Sequence, residues 1–219
     1  MREGDYFVDA FCGGCNLLDK VPDTFNRIAN DKNEYLIAMW KCLQQGNRFT
    51  ETISRDLYSK ARDAYRKEDF SHFTKGEIGW IGFMASYNGR WFEGGYSGHD
   101  VNGRDYISEQ IRNTLLQVSL LLDVYFRCGS YEKIELPPAS KTTIYCDIPY
   151  KGVKQYTTSK NFDYEMFYDW CREKHAEGYR VFVSEYEMPD DFKCVWQKQI
   201  TNSMNQTITK KPIEKLFML

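Results

Sequence analysis

The sequence is short of several things, and each shortage removes a class of reading. It has no excess of one charge: 29 lysines and arginines face 31 aspartates and glutamates, a net charge of −2 over 219 residues. No global positive field draws in nucleic acid, so such binding needs a local basic rim. Histidine occurs three times, at His72, His99 and His175, with no pair at metal-ligand spacing, so no metal is expected. The seven cysteines are an odd number at irregular spacings, which argues against a disulfide framework. Cys12 and Cys15 form a CxxC, but no second pair follows at zinc-like spacing. Free thiols in a reducing cytoplasm are the simpler account. The longest apolar run, near Leu115 to Val124, is broken by Gln117, Ser119 and Asp123, too short and too polar to span a membrane. No N-terminal stretch resembles a signal peptide, and repeats and low-complexity linkers are absent.

What is present is a packable, aromatic-rich chain, 42% hydrophobic and 16% aromatic. An aromatic excess serves a rigid core or offers stacking surfaces for bases. Tyr6 to Phe11 alternates and predicts a strand. A tight turn follows at Cys12 to Asn16, then the start of a short helix at Leu17 to Val21, stopped near Pro22. Phe25 to Asn30 predicts a second strand ending at Asp31. Asn33 is placed to cap a helix reaching about Leu43, with Tyr35, Leu36, Met39, Trp40 and Leu43 at helical spacing. Strand, glycine turn, helix, strand, acid is how a nucleotide-binding α/β sheet opens.

Residues 46–104 differ in character. Leu57 to Tyr65 predicts a helix. Gly79 to Gly98 is dense in glycine and aromatics, with an Asn88-Gly89 turn signal, and is expected to form a hairpin or loop. Ile107 to Val124 returns to a helical pattern. Val124 to Cys128, Thr143 to Cys146 and Tyr179 to Ser184 predict strands, and Phe162 to Glu177 a helix ended by Gly178. The tail from Cys194 to Leu219 suggests antiparallel strands around a polar turn at Thr201 to Lys211. The expected organisation is a catalytic domain of residues 1–45 and 105–219, interrupted by an insertion at 46–104.

Two turns carry the chemistry. The first runs Asp9, Ala10, Phe11, Cys12, Gly13, Gly14, Cys15, Asn16. Glycines after a strand let the backbone turn sharply and approach a ligand closely. Asp31, at the end of the next strand, stands where an acid accepts hydrogen bonds from ribose hydroxyls. GxGxxG is absent, and no Gly-Lys-Ser/Thr follows, so a ligand without phosphates fits better than a dinucleotide or a nucleoside triphosphate. The second turn is Asp147-Ile148-Pro149-Tyr150, an acid at the end of a buried strand followed by x-Pro-Tyr.

In this tetrapeptide and the order of motifs, the sequence resembles the Dam-like DNA adenine-N6 methyltransferases of bacteria and phages. Asp147-Ile148-Pro149-Tyr150 is similar to their Asp-Pro-Pro-Tyr motif, and Phe11 to Asn16 to their cofactor loop. Ala85 to Phe92, Val183-Ser-Glu-Tyr186 and Ile213 to Phe217 are similar as well, across nearly the whole chain. The resemblance implies a Rossmann-like α/β sheet with an inserted helical or hairpin target-recognition region. It implies transfer of a methyl group from S-adenosylmethionine to adenine N6 in duplex DNA, by base flipping and direct displacement. Asp147, Ile148, Pro149 and Tyr150 are then catalytic. Asp9, Ala10, Phe11, Gly13, Gly14, Asn16, Asp31, Ser130, Tyr131 and Asp147 are expected around the cofactor. The cofactor's adenine is expected near Ser130 and Tyr131, with Ser130 where an Asp is frequent in the family.

Ile148 departs from the family's proline, but it precedes Pro149, so its backbone keeps an extended bias. DNA contacts are expected from Asn88, Arg90 and Trp91 in the insertion, and from Lys151, Lys154 and Tyr156 after the tetrapeptide. Tyr87, Trp91 or Phe92 are the candidates to fill the gap left by a flipped base. The alternative is that the aromatics make a small core and the lysines a solvated loop. Family members begin with about two dozen further residues that help enclose the cofactor. A catalytically weak DNA-binding relic, or a partner or missing N-terminal segment completing the site, is therefore the competing expectation. The expected location is the cytoplasm of a bacterial or phage-infected cell.

Overall fold

The computed structural model describes residues 2–87, 90–99, 101–152, 160–199 and 213–219. Seven strands form one sheet in the order β3-β2-β1-β4-β5-β7-β6. They are β1 (Tyr6–Asp9), β2 (Asn26–Asp31), β3 (Tyr125–Cys128), β4 (Thr142–Asp147), β5 (Arg180–Glu185), β6 (Lys193–Gln199) and β7 (Ile213–Met218). Strands β1 to β5 pair in parallel, and β7 lies antiparallel to both β5 and β6. This is the Rossmann-like sheet expected from the sequence. From β1 the chain runs outward to β2 and β3, then returns to β4 on the other side. The strand order therefore reverses between β1 and β4, the point where open α/β sheets form a crevice outside the carboxyl ends of their strands.

The helices are α1 (Glu34–Gln44), α2 (Arg55–Lys67), α3 (Lys75–Ala85), α4 (Tyr106–Val118) and α5 (Tyr164–Ala176). Asn33 caps α1 as anticipated, accepting from the amides of Tyr35 at 3.1 Å and Leu36 at 3.3 Å. One core joins Phe7, Ala29 and Phe126 of the sheet to Met39 and Trp40 of α1, Ile78 and Ile81 of α3, and Ile107 and Ile111 of α4. The other joins Ile144, Cys146, Val181, Val183 and Phe217 to Phe167 and Cys171 of α5. Phe167 is fully buried, and truncating such a ring to alanine costs about 3–5 kcal/mol. Among the described residues no helix is long and apolar enough to cross a membrane.

The start of the stretch 79–98 departs from the hairpin or loop expected. It is the second half of helix α3. Thr74 and Glu77 form a reciprocal capping box that starts the helix. Gly76, Gly79 and Gly82 then recur every three residues. A Cβ on Gly79 would sit 2.1 Å from the Tyr35 carbonyl oxygen, and one on Gly82 would lie 2.8 Å from Phe92. These glycines are small because α1 and the following loop press against that face, and no turn needs them. The described part of residues 46–104, expected to be an insertion, thus shares a core with α1. Helix α4 also ends earlier than its apolar pattern, at Val118. The strands predicted in the tail are present as β6 and β7. The turn expected between them, Thr201 to Lys211, lies outside the described residues.

Candidate active site

Three acids stand at the carboxyl ends of neighbouring strands. Asp9 ends β1 beside Tyr145 of β4, and the Ala10 amide extends that pairing to the Tyr145 carbonyl at 2.9 Å. Asp31 ends β2 and Asp147 ends β4. The two turns singled out in the sequence are therefore neighbours across the β1/β4 crevice.

The glycine turn is held by its own backbone groups. The Gly13 amide donates to Asp31 Oδ2 at 2.9 Å, and the Asn33 amide to Asp31 Oδ1 at 2.7 Å. The Gly13 carbonyl accepts from Trp40 Nε1 at 3.0 Å. Gln117 Nε2 donates to the carbonyls of Gly14 at 3.1 Å and Cys15 at 2.9 Å. Asn30, almost wholly buried, donates its side-chain amide to the carbonyls of Ala10 at 3.1 Å and Gly129 at 3.0 Å. Gly13 has φ +43°, a left-handed conformation that disfavours a side chain, yet a Cβ there would meet nothing within 4 Å. The turn is anchored from inside and open outside. Asp31 thus bonds first to the turn itself, although each of its oxygens keeps a second lone pair.

Asn16 is exposed and lines a hollow of about 290 Å³ with Asp19, Lys20, Asn113 and Gln117, on the flank of the turn facing α4. None of the three acids lines that hollow. Ser130 and Tyr131 follow β3. Tyr131 is buried, with its ring centroid 5.3 Å from that of Phe11 and 5.2 Å from that of Trp170. Its hydroxyl is buried and finds no hydrogen-bond partner among the described residues.

The tetrapeptide is held by side chains. Ile148 is buried in the core beneath α5. The Pro149 carbonyl accepts from the Tyr164 hydroxyl at 2.8 Å. The Tyr150 ring meets Tyr186 edge-on, with centroids 4.7 Å apart. Glu185, 1% exposed, accepts the Lys151 amide at 2.8 Å and the Tyr186 amide at 2.6 Å.

Burial raises all three acids. It pushes Asp9 up to about 8, against the Phe11 amide bonded to its carboxylate and with help from the charges of Asp147 and Asp31. Burial pushes Asp147 up to about 6, with help from the charges of Glu214 and Glu185 and opposed by the Tyr150 hydroxyl. Asp31 is raised by burial, while the Asn33 and Gly13 amides pull the other way. A positive charge brought among these buried acids would draw them back toward their ionised forms.

The remaining expected residues scatter. Trp91 is buried against Tyr35, Tyr65 and Phe92, and Phe92 is buried beside it. These two rings belong to the core shared with α1, so the placement expected of Trp91 at a DNA surface does not fit its burial. Arg90 is half-buried, and Tyr87 is 48% exposed. Lys151 is exposed, its ammonium 5.5 Å from the Tyr164 ring centroid and 6.0 Å from that of Tyr168. Asn88, Lys154 and Tyr156 lie outside the described residues. Sequence reasoning gave no role to Trp40, Gln117, Tyr164 or the Ser184–Tyr186 segment. Gln117 had left one signal, as a polar residue interrupting an apolar run.

The fold defines a Rossmann-like α/β protein whose strand order reverses between β1 and β4. The model of the D12 class N6 adenine-specific DNA methyltransferases matches residues 2–117, more than half of the chain. The chain belongs to that family. The match spans the glycine turn, Asp31 and the described part of the insertion; the Asp147 tetrapeptide lies beyond it. No curated protein sequence matches the chain. Among solved structures, one similar chain is that of SMU.472, assigned as a methyltransferase and crystallised as a complex with SAH. It is 14% identical, with a TM-score of 0.40, and the alignment covers 100% of this chain and 48% of that one. The chain thus spans about half the length of that neighbour, and a likeness this distant carries no chemistry.

Proposed function

We propose that the chain transfers a methyl group from S-adenosylmethionine to the N6 amine of an adenine flipped out of duplex DNA. One observation carries this reading: in a member of this family, Asp147 and the glycine turn occupy the ends of adjacent strands β4 and β1. The residues fit the cofactor. Gly13 leaves an open cradle, a cation beside Asp9 and Asp147 would restore their ionised forms, and the unpartnered Tyr131 hydroxyl lies beside Phe11. Asp9 to Asn16, Asp31, Ser130 and Tyr131 would hold it. When bound, it supplies an electrophilic methyl group on a positively charged sulfur.

An adenine amine is a poor nucleophile because its lone pair is delocalised into the ring. Asp147, even pushed up to about 6, is too weak a base to remove its proton outright. Its carboxylate instead accepts a hydrogen bond from the amine, and the Ile148 carbonyl accepts the other. Together they favour a tetrahedral nitrogen with its lone pair directed across the crevice. As the C–N bond forms, positive charge grows on nitrogen, and the Asp147 carboxylate stabilises it. The extra proton leaves afterwards, through Asp147 to solvent. Tyr150 stacks on the extruded base.

On the DNA side, Tyr87 takes the role that the buried Trp91 and Phe92 cannot. Helix α3 brings Phe83 to the glycine turn, where its ring would lie 2.9 Å from a Cβ on Gly14. The helix stops at Ala85, and Tyr87 follows two residues later with 48% of its surface exposed. It fills the gap left in the duplex, while Arg90, Lys151, Asn88, Lys154 and Tyr156 contact the backbone or bases. Labelled methyl transfer into unmethylated plasmid DNA tests the proposal, with Asp147→Ala as control. Label in N6-methyladenine with the native chain alone supports it. Retarded DNA without any transfer defeats it in favour of a binding relic.

A further inference from the structure

We infer that Ser184, Glu185 and Tyr186 form a positioning clamp that sets how Tyr150 and Asp147 meet the target base. The inference rests on the methyl-transfer reading above. Three consecutive residues at the end of β5 each hold a different part of the catalytic turn. Ser184 is in register with Asp147 across the β4/β5 pair, so the two side chains lie on the same face of the sheet. Its hydroxyl lies beside those of Tyr145 and Tyr150.

Glu185 points the other way and is 1% exposed. A buried carboxylate is costly and persists where its oxygens are satisfied. Here one oxygen takes the Lys151 amide at 2.8 Å and the other the Tyr186 amide at 2.6 Å. The acid therefore ties the residue after the tetrapeptide to the end of β5. Fold stability alone is served as well by an apolar residue at this position. Tyr186 completes the clamp by placing its ring edge-on to Tyr150, at 4.7 Å and 78°. From the opposite side, α5 packs over Ile148 and donates the Tyr164 hydroxyl to the Pro149 carbonyl at 2.8 Å.

Tyr150 is thus held along its ring and through the next amide, with Ser184 beside its hydroxyl. A base stacking on Tyr150 meets a surface whose tilt is fixed from β5. None of these contacts involves the glycine turn, so the clamp acts on turnover and leaves cofactor affinity alone. The variants Tyr186→Leu, Tyr186→Phe and Glu185→Gln test this with three readouts: kcat, cofactor affinity by calorimetry, and backbone amide exchange at Lys151. Tyr186→Leu is expected to lower kcat about tenfold, with cofactor affinity within twofold of native, and Tyr186→Phe, which keeps the ring, restores most of it. Glu185→Gln, which keeps only one acceptor oxygen, is expected to speed exchange at Lys151 by tenfold or more. Native kcat in both Tyr186→Leu and Glu185→Gln, or a fall matched by lost cofactor affinity, overturns the clamp. The exchange readout needs no turnover. A native chain that transfers no methyl therefore ends the methyl-transfer reading, while unchanged exchange at Lys151 ends the clamp.

Discussion

The two turns at the crevice are built from opposite materials. The glycine turn after β1 is fixed through its backbone: its amides and carbonyls bond to Asp31, Trp40 and Gln117, and its outer face carries no side chain at Gly13. The tetrapeptide after β4 is fixed through side chains, with Tyr186 and Glu185 on one side and Tyr164 on the other. A bare backbone cradle suits a ligand that must come close. A surface of aromatic rings suits a flat base arriving from outside. The difference teaches that binding and chemistry are separable here, and it can be broken by mutation.

The largest effect is expected at Asp147. Replacement by Asn keeps the shape but loses the charge that stabilises the cationic nitrogen, and kcat should fall about 10³-fold in a methyl-transfer assay. Cofactor affinity that falls in parallel would show that the two turns are one functional unit. Next is Gly79→Ala in α3. Its Cβ would meet the Tyr35 carbonyl at 2.1 Å, so α1 and α3 must move apart, at a cost of about 3 kcal/mol or more in denaturant melts. A variant as stable as native would mean the insertion does not depend on that close approach.

The pH dependence is a sharper probe of the β1 side. Asp9 and Asp147 are raised above their ordinary value, so folding favours their neutral forms. Their contribution to stability is complete below about pH 4 and is lost as pH rises through about 6 for Asp147 and about 8 for Asp9. Asp9→Asn should remove the upper part of that loss, raising stability at pH 8 relative to pH 5 by roughly 2–4 kcal/mol in paired urea melts. An unchanged slope would mean Asp9 is ionised without penalty. In activity the sign reverses. Asp147 works as a carboxylate, so kcat/KM on DNA should fall about tenfold per unit below about pH 6. The smallest effect is at Arg90. Replacement by Ala should weaken DNA binding a few-fold and reduce its salt dependence by about one phosphate contact, with transfer at saturating DNA unchanged.

Much of this was legible in the sequence, for identifiable reasons. Strands β1, β4 and β5 carry short apolar or aromatic stretches, and β1, β2 and β4 end in the acids Asp9, Asp31 and Asp147. Residues 79 to 85 misled because closely spaced glycines are ambiguous. They signal a turn where φ must be positive and a helix contact where a neighbour presses close, and only the packing of α1 decides. The overrun of α4 has a similar cause: apolar residues continue past Val118, and periodicity does not mark where hydrogen bonding stops. Trp40 and Gln117 could not be read as anchors of the glycine turn. They lie 27 and 103 residues away from the carbonyls of Gly13 and Gly14, and their partners are set by topology. Trp91 read as a surface aromatic because aromatic density looks the same in a core and on a binding face.

Single-turnover methyl transfer at saturating cofactor, comparing Gly13→Val with Asp147→Asn, tests the division between the two turns most directly. Gly13→Val strains the φ +43° position, so it should need at least tenfold more cofactor to saturate yet transfer within a few-fold of the native rate once saturated. Asp147→Asn should saturate at the native cofactor concentration and transfer about 10³-fold more slowly. If both variants lose affinity and rate together, or if Asp147→Asn transfers at the native rate, the carboxylate at the end of β4 does not act on a methyl group held at the end of β1.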